Sequence, residues 1–437
     1  MARVYLAGIG GISMSGIAKY ELKKGNQVFG SDIKENEEIR ELKRMGATIY
    51  LEQKKENILN NLPLDLVVYT SAISEGSPGF LELEAARQNG IKTIKRSEYL
   101  GELSKIYPTI AISGMHGKTT ATSMLGFVLK KMGKNPLVFV GAETNCFDYS
   151  NVEIPKKNPQ FLVLEACEYD GSFLDFNFDA AIILNIEAEH LDYFKGGLAE
   201  IIKTFHNFSL LGKENSFIVA LDEPIVRQAL NSIREEVISY GPKELESENI
   251  KLKVLGGHNR LNALAVLKVI ERLGLNIEEA KKILEIFPGA KRRLEYKGKM
   301  GENLIYDDYA HHPTEIEASL KALREKYPQK SIFLVFGPHQ YSRTTLLFAD
   351  FVRTLGEADK LCLLEVFGVM GREKIENPKT SRDLFSALEG KVKDIFYAQN
   401  LQEAEEIIKK NKQKNDIIVC MGAGETDQLA NKLIDNG

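Results

Sequence analysis

The chain alternates short apolar runs with longer stretches in which apolar residues recur every three or four positions. Short runs rich in Val, Ile, Leu and Phe predict buried β-strands, and the periodic stretches predict amphipathic helices. The first predicted strands are Arg3–Ala7, Gln27–Ser31, Leu64–Tyr69 and Lys92–Ile94. Because strands that alternate with helices usually pair in parallel, this pattern predicts an α/β fold with parallel sheets.

Two interruptions divide the alternation into three parts. Tyr107 and Pro108 end the first part, and Pro288 and Gly289 end the second, after predicted helices at 259–273 and 277–286. The second part contains predicted strands at 109–113, 161–165, 180–184 and 217–221. The third part contains predicted strands at 304–307, 332–336, 360–365, 394–397 and 416–421. We therefore predict three domains, at residues 1–107, 108–289 and 290–437.

Composition is that of an ordinary globular protein. The chain has 437 residues, 43% hydrophobic and 27% charged, and no apolar run approaches the ~20 residues that span a bilayer. The net charge is −4 with both signs interspersed, so we expect neither nucleic acid nor membrane as a partner. The start of the chain lacks a signal-peptide pattern and the four cysteines lack metal-ligand spacing. We expect a soluble, cytoplasmic protein with reduced thiols.

The strongest chemical motif is Ser-Gly-Met-His-Gly-Lys-Thr-Thr at 113–120. A predicted strand precedes it and a helix with apolar spacing follows, which is the context of a phosphate-binding loop. Glycines let backbone N–H groups face phosphate oxygens, the lysine supplies a point charge, and a threonine hydroxyl can reach Mg²⁺. The predicted triphosphate-binding residues are Gly114, Met115, His116, Gly117, Lys118, Thr119 and Thr120.

Acidic and histidine residues follow two neighbouring predicted strands. Glu165 closes the strand 161–165, with Glu168 shortly after it, and His190 follows the strand 180–184. Because the ends of parallel strands meet at one crevice, we predict that Glu165 and His190, with Thr119, hold a metal ion or its waters. Six of the seven histidines lie in polar clusters of this kind, which favours a site.

A third motif, Gly-His-Asn-Arg-Leu-Asn at 257–262, opens the long predicted helix at 259–273. Asn259 and Asn262 lie three positions apart, on one face of its first turn. Their amides could cap the helix or contact an adenine edge, and the residues alone leave both interpretations open.

A glycine loop follows the first strand. Gly8-Ile-Gly-Gly-Ile-Ser-Met-Ser-Gly16 leads into a helix, and Asp32 closes the next strand. The pattern approaches a dinucleotide fingerprint, but Ser13 occupies the third glycine position. A diphosphate-containing ligand is the broader prediction, and a nicotinamide dinucleotide is the narrower alternative.

Together these motifs resemble the Mur ligases, and among them the alanine-adding branch. The resemblance also rests on EACEYDGSF at 165–173, NIEAEHLDYF at 185–194, YDDYAHHPTEI at 306–316 and FGPHQYSRT at 336–344. It covers nearly the whole chain, with the motifs in the family's order.

The resemblance implies a Rossmann-like UDP-sugar domain, a central ATPase domain with a P-loop-type parallel sheet, and a Rossmann-like domain that carries the amino acid. It implies ATP-dependent joining of L-alanine to UDP-N-acetylmuramate through an acyl phosphate, with Mg²⁺, in a monomer or weak homodimer. The implied UDP-sugar contacts are Gly8, Gly10, Gly11, Ser13, Met14, Asp32 and Ser71. The implied ATP contacts beyond the phosphate loop are His258, Asn259, Asn262, Arg293 and Asp308. The implied residues around the amino acid are Tyr309, His311, His339 and Arg343, and the catalytic set is Lys118, Glu165, His190, His339 and Arg343.

The chain departs from the family pattern in places that bear on function. Gln340 stands where relatives usually carry arginine, and Phe205 stands where some sister ligases carry a carbamylated lysine. The segment between Tyr240 and Leu255 is shorter than in relatives, which predicts a trimmed central domain.

Three other functions stay open from the sequence. One is a recycling ligase that attaches a tripeptide to the same sugar nucleotide, and another is a NAD-dependent oxidoreductase with a nucleotide-regulated domain. The third is a non-catalytic nucleotide switch, which would leave the motifs at 306–344 without a purpose.

Overall fold

The structure, a computed structural model, describes residues 1–191, 193–368 and 376–435. Three separate sheets, each flanked by helices, confirm the predicted α/β fold class. The chain divides into two compact units: the first comprises residues 1–251 and 261–288, and the second comprises residues 252–260 and the chain from Gly289 onward. Within the described ranges, none of the helices has the length and apolar character needed to cross a membrane.

The N-terminal sheet has five parallel strands in the order β3-β2-β1-β4-β5. Its strands are β1 (Arg3–Ala7), β2 (Gln27–Ser31), β3 (Thr48–Tyr50), β4 (Leu66–Tyr69) and β5 (Lys92–Lys95). Its helices are α1 (Ile12–Lys23), α2 (Glu37–Arg44), α3 (Glu56–Leu59), α4 (Phe80–Gln88) and α5 (Arg96–Ile106). The parallel order places the loop after β1 at the centre of the sheet's carboxyl edge, where α/β proteins bind ligands.

The central sheet has seven strands in the order β12-β11-β10-β6-β9-β7-β8, all parallel except for the antiparallel pair β7–β8. Its strands are β6 (Thr109–Ser113), β7 (Pro136–Phe139), β8 (Val152–Glu153), β9 (Phe161–Glu165), β10 (Phe178–Ile183), β11 (Gly212–Leu221) and β12 (Glu236–Tyr240). A 3₁₀ segment occupies Tyr169–Asp175, and the helices are α6 (Lys118–Lys131), α7 (Gly197–Ser209), α8 (Pro224–Ala229), α9 (Pro242–Ser247), α10 (Gly257–Arg272) and α11 (Ile277–Glu285). Strands β10, β6 and β9 are neighbours, so their carboxyl ends share one crevice.

The C-terminal sheet has six strands in the order β13-β14-β18-β15-β16-β17, parallel except for the hairpin β13–β14. Its strands are β13 (Glu295–Met300), β14 (Asn303–Asp308), β15 (Ile332–Gly337), β16 (Lys360–Leu364), β17 (Asp394–Ala398) and β18 (Ile417–Gly422). Its helices are α12 (Pro313–Lys326), α13 (Tyr341–Leu346), α14 (Phe348–Leu355), α15 (Ser381–Leu388), α16 (Leu401–Asn411) and α17 (Thr426–Asp435).

The strands missed by the sequence prediction lie mostly at sheet edges. β12 carries Glu236 and exposes most of its residues, and β13 carries three charged residues in a six-residue strand. Edge strands need no continuous apolar run because solvent covers part of their surface. The predicted strands at 64–69 and 416–421 begin two and one residues later, at Leu66 and Ile417.

The N-terminal and central sheets belong to the same compact unit, and Asn151 connects them. Its side-chain amide donates to the Ser15 hydroxyl over 2.9 Å and to the carbonyl of Ile12, both in α1. Its carbonyl oxygen accepts from the fully buried Lys19, which also pairs with Glu38 at 2.6 Å. A buried ammonium is stable only when it is paired, so this contact fixes the start of α1 against the central domain. The exact limits near residues 107 and 289 stay predictions.

Candidate active site

The predicted phosphate loop lies between β6 and α6, and Asn185 holds it from the neighbouring strand. The backbone N–H of His116 donates to the Asn185 side chain over 2.8 Å, and the Asn185 amide donates back to the His116 carbonyl over 2.9 Å. The N–H of Met115 donates to the Asn185 backbone carbonyl over 3.2 Å. These three bonds fix the loop's shape from outside its own helix.

Two glycines are required by this geometry. Gly114 has φ of +136° and Gly117 has φ of +84°, both in the region that side chains disfavour. A Cβ at Gly117 would lie 2.9 Å from the Asn262 side chain, and one at Gly114 would lie 3.1 Å from the backbone N of Asn185. The loop is therefore packed closely between β10 and α10.

Lys118, the first residue of α6, reaches back across this loop. Its Nζ donates to the Met115 carbonyl over 3.0 Å and lies 2.9 Å from Glu168, whose side chain is fully buried. Burial alone would lower the pKa of Lys118, but its acidic neighbours, Glu168 first among them, together outweigh burial and the pKa is raised. Burial alone would raise the pKa of Glu168, yet Lys118 and His190 hold it below its ordinary range. The pair is therefore ionised, with the cation at the loop.

Glu168 also orients His190. The His190 Nε2 lies 3.3 Å from a Glu168 oxygen, and the ring packs edge-on against Tyr169 at 5.1 Å between centroids. His190 has φ of +53°, which is uncommon for a residue with a side chain and marks a constrained position. Glu168 thus connects the lysine and the histidine that the sequence placed in the site.

Glu165 and Thr119 form the third part of this crevice. The Thr119 hydroxyl donates to one Glu165 oxygen over 2.9 Å, and the N–H of Gly141, after β7, donates to the other over 2.7 Å. A hydroxyl oxygen and a carboxylate oxygen, both possible metal ligands, are therefore adjacent at the carboxyl end of the central sheet. Thr119, Met115 and Thr120 are all buried, at 3%, 5% and 6% exposure, and it is the hydrogen bond to Glu165 that distinguishes Thr119.

The sequence prediction did not place Glu168 among the catalytic residues. In the sequence it looks like one of several solvated acids after β9, but the turn folds inward because Ala166 and Phe173 are fully buried. Phe173 stacks on Phe208 at 4.6 Å and meets Phe205 at 5.2 Å, so Phe205 fills an aromatic core position beneath this turn. The apolar partners, which lie far along the chain, decide where Glu168 points.

The N-terminal glycine loop is also closely packed. The N–H groups of Gly8 and Ile9 both donate to the Ser31 carbonyl, and the N–H of Gly10 donates to the Asp32 carboxylate over 2.9 Å. A Cβ at Gly10 would lie 2.9 Å from the same Asp32 oxygen. Asp32 therefore positions this loop.

The other residues implied for the UDP-sugar differ in their exposure. Gly11 and Ser71 are exposed and Ser13 is half-buried. Met14 is 1% exposed and belongs to the hydrophobic core, so its side chain packs beneath the loop.

The start of α10 places its two asparagines in different surroundings. The Asn259 side-chain amide donates to the Leu255 carbonyl over 2.6 Å, which is a local contact at the helix start. Asn262 lies beside Gly117 of the phosphate loop. His258 is largely buried, and this burial lowers its pKa. This contact is not a helix cap, because the Asn259 amide donates to a carbonyl instead of accepting from a backbone N–H, so the capping and adenine interpretations of Asn259 both stay predictions.

The second unit gathers an aromatic and charged group at the carboxyl ends of β14 and β15. The rings of Tyr309 and His311 meet edge-on at 5.3 Å, and those of His311 and His339 at 5.6 Å. His339 Nδ1 lies 3.1 Å from the Arg343 guanidinium, one helical turn later. The four residues implied around the amino acid are therefore close together.

Glu315, which the sequence prediction did not include, contacts both His311 and Arg293 and so connects Arg293 to this group. Its carboxylate accepts from the His311 N–H over 3.1 Å and lies 3.6 Å from the Arg293 guanidinium. Arg293 in turn lies 5.4 Å above the Tyr309 ring. The sequence does carry a signal for Glu315. It follows His311 by four residues in the first turn of α12, a spacing that brings the two residues close together.

Two adjacent aspartates end β14. Asp308 accepts a hydrogen bond from Ser319, and burial raises its pKa to about 6. Burial raises the pKa of Asp307 to about 7, even though Arg292 lies 3.4 Å away. Within the described residues neither Asp307 oxygen accepts a hydrogen bond, which explains why Asp307 is the more perturbed of the two.

Comparisons with known proteins match all three sheets. Residues 3–107 match the Mur ligase family catalytic domain, residues 112–270 match the Mur ligase middle domain, and residues 292–424 match the Mur ligase glutamate ligase domain.

Similar proteins cover the chain from end to end. The chain is 35% identical to the UDP-N-acetylmuramate–L-alanine ligase of Caldanaerobacter subterraneus subsp. tengcongensis, over 99% of this chain and 97% of that protein. It is 37% identical to the ligase of the same name from Caldicellulosiruptor saccharolyticus, over 100% of this chain and 99% of the relative. The crystal structure of UDP-N-acetylmuramate–alanine ligase from Thermotoga maritima matches with a TM-score of 0.82 and 26% identity, over 100% of this chain and 99% of the other.

The buried ion pair makes a first prediction. Glu168→Gln removes the charge that holds Lys118 and His190 but keeps the side-chain shape, so kcat should fall by roughly 10- to 100-fold. The KM for the amino acid should change little, because the residues that the family resemblance implies around it lie in the second unit and are not altered. Steady-state kinetics measure both.

Glu187→Gln provides the control, because Glu187 is also a carboxylate beside the loop, 3.8 Å from His116, whereas Glu168 is the carboxylate 2.9 Å from Lys118. Equal losses in both variants would mean that general negative charge near the loop matters, and not the specific pair.

Asp307 makes a second prediction, for stability against pH. Its pKa is raised from 3.8 to about 7 on folding, so the folded state holds a proton that the unfolded state has lost between these values. This contribution to stability is fully present below about pH 4 and is lost as the pH rises through 7. Asp307→Asn should therefore flatten the loss of stability between pH 5 and pH 8, measured as the urea midpoint.

Asp350→Asn, at an exposed position of the same unit, is the control and should leave the pH dependence unchanged. If Asp307→Asn kept the parent's loss of stability over this range, the raised pKa would belong to another group.

Proposed function

The chain belongs to the Mur ligase family, and from this we propose that it joins L-alanine to UDP-N-acetylmuramate with cleavage of ATP to ADP and phosphate. The observation that carries the proposal is full-length identity of 35–37% to relatives of that name. The phosphate loop supports it, because Lys118 is held there by a buried carboxylate.

The reaction needs activation of a carboxylate, which is a poor acylating agent. The lactyl carboxylate of the sugar nucleotide attacks the γ-phosphorus of ATP, so an O–P bond forms and the bond to the ADP oxygen breaks. The amine of alanine, after losing a proton, attacks the acyl carbon of the resulting acyl phosphate. A C–N bond forms, the C–O bond breaks and phosphate leaves. This sequence requires no protein nucleophile, so the protein acts by positioning and charge neutralisation.

We assign the charge neutralisation to Lys118 and the loop amides. Lys118 Nζ is within 3.1 Å of both the Met115 carbonyl and Glu168, so it is preset across the loop. A preorganised cation stabilises the transferring phosphoryl group without reorganising during the reaction. In this proposal Glu168 acts through Lys118 and His190, which makes it a positioning residue.

Magnesium fits the adjacent Thr119 and Glu165 oxygens. The two side chains meet at 2.9 Å, and Mg²⁺ prefers oxygen ligands and few protein contacts. In this proposal Thr119, Glu165 and His190 would hold the ion or its waters, and Glu168 orients His190. When bound, the ion neutralises charge on the phosphate oxygens.

The remaining assignments follow the family resemblance. We place the UDP-sugar diphosphate at the loop Gly8–Gly16 and the amino acid near Tyr309, His311, His339 and Arg343. Asp308, Arg293 and the start of α10 are assigned to the nucleotide. A cytoplasmic monomer or weak homodimer, with domains at 1–107, 108–289 and 290–437, completes the proposal.

The direct test is phosphate release from ATP in the presence of UDP-N-acetylmuramate and a panel of L-alanine, glycine, L-serine and the tripeptide of the recycling ligases. Release should require the sugar nucleotide and be fastest with L-alanine. Release that ignores the sugar nucleotide would refute the ligase proposal, and faster release with the tripeptide would assign the recycling activity instead.

Lys118→Ala should abolish turnover while leaving UDP-N-acetylmuramate binding nearly intact, because the cation lies at the phosphate loop and the sugar nucleotide is assigned to the N-terminal sheet. Calorimetry measures the binding and a phosphate assay the turnover. Equal loss of both would contradict the assignment of the two ligands to different domains.

Gln340 makes a prediction for amino-acid binding. The residue is 8% exposed and lies immediately before α13 with φ of +70°, three positions before Arg343. Gln340→Arg restores the cation common in relatives, so the apparent KM for L-alanine should fall. Gln402→Arg, at an exposed position of α16, is the matched control. An unchanged KM in Gln340→Arg would mean that another residue binds the carboxylate of L-alanine.

A further inference from the structure

A cleft of about 510 Å³ lies on the first unit, away from the phosphate loop. It is lined by Lys23 at the last turn of α1, by Tyr107 just before β6 and by Pro159 just before β9. These positions mark the amino edge of the sheet, whereas the phosphate loop follows the carboxyl end of β6. The cleft is therefore separate from the active site described above.

Four lysines give the cleft a positive charge: Lys23, Lys24, Lys156 and Lys157. Its one acidic lining residue, Asp148, is bonded to Lys130 over 2.8 Å. Lys24 lies 3.4 Å from Glu21, while Lys23, Lys156 and Lys157 pair with no carboxylate of the described chain. In a protein of net charge −4, this local excess of cations favours an anionic ligand.

Three tyrosines, Tyr20, Tyr107 and Tyr149, line the same cleft. The Lys23 ammonium lies 5.0 Å from the Tyr149 ring centroid, and the Tyr20 and Tyr107 hydroxyls are 3.4 Å apart. Tyr107 and Tyr149 are half-buried, so part of each ring faces outward. Rings beside ammonium groups suit a ligand that combines a planar ring with negative charge.

The lysines are held on ordered segments. Lys156 and Lys157 lie between Pro155 and Pro159, whose fixed φ angles restrict the loop, and Lys23 ends a twelve-residue helix. Ile154, just before this loop, packs against the hydrophobic core. The backbone that carries the lysines is therefore already positioned, and binding has mainly the exposed lysine side chains to order.

A second cleft of about 440 Å³ provides the contrast. Its charged lining consists of three bases and three acids: Lys213, Arg234, Arg272, Glu214, Glu235 and Glu236. Positive and negative side chains balance in this second cleft. The excess of lysines therefore distinguishes the first cleft from it.

We propose that the basic cleft binds a small phosphorylated ligand with a planar ring, the chemistry of a nucleotide. The phosphates contact Lys156, Lys157, Lys23 and Lys24, and the ring packs on the outward faces of Tyr149 and Tyr107. The volume lies within the range of small-molecule sites, and a concave cleft suits such a ligand better than a membrane surface. The ligand would bridge α1 and the central domain, which supply the two lysine pairs.

Calorimetric titration of the full chain with ADP tests the proposal, with Lys118→Ala used to weaken the phosphate-loop site. A second class of binding sites should appear in the parent and persist in Lys118→Ala. Lys156→Glu/Lys157→Glu should weaken that class by roughly tenfold or more, because two attractions become repulsions. Lys23→Glu/Lys24→Glu should do the same from the other side of the cleft.

Lys409→Glu/Lys410→Glu changes the charge equally on exposed lysines of α16 and should leave both classes intact. A single class of sites, or a second class that survives both cleft variants, would overturn the proposal. Inorganic pyrophosphate that binds the second class as tightly as ADP would overturn the nucleotide assignment, since the ring would contribute nothing. Unchanged melting temperatures check that the variants fold.

Discussion

The candidate active site depends on one buried ion pair, between Lys118 and Glu168. Glu168 is fully buried, and a buried charge is tolerated only when it is paired. Lys118 begins α6 and Glu168 follows β9, so the pair fixes the start of the helix against the end of a neighbouring strand. The same carboxylate lies 3.3 Å from His190, which follows β10. A single side chain therefore orients a cation and an imidazole at the phosphate loop.

The parallel order β10-β6-β9 makes this convergence possible. Each of the three strands ends at the same edge: β6 in the phosphate loop, β9 in Glu165 and Glu168, and β10 in Asn185 and His190. Phosphoryl transfer to a carboxylate requires placed charges more than reactive side chains, and neighbouring strand ends place them without long flexible segments. The close packing of Gly114 and Gly117 extends the same constraint to the loop backbone.

Much of this arrangement could be predicted from sequence, because apolar runs and glycine spacing are local signals. These signals predict the phosphate loop, Glu165 and His190 as one site, and the fold brings them to the same edge of the central sheet. Glu168 was missed because its burial depends on Phe173, Phe205 and Phe208, which come together only in the fold. β12 and β13 were missed because edge strands carry polar residues. Met14 illustrates the reverse: its motif marks a binding loop, but its side chain belongs to the core.

The central claim is that the phosphate loop delivers phosphate to a carboxylate, and the path of the oxygen atoms tests it most directly. UDP-N-acetylmuramate labelled with ¹⁸O in its lactyl carboxylate is turned over with ATP and L-alanine, and the released phosphate is examined by mass spectrometry or ³¹P NMR. Transfer through an acyl phosphate predicts one oxygen from the carboxylate in each phosphate released, because the C–O bond breaks when the amine attacks. Phosphate without label would contradict the account.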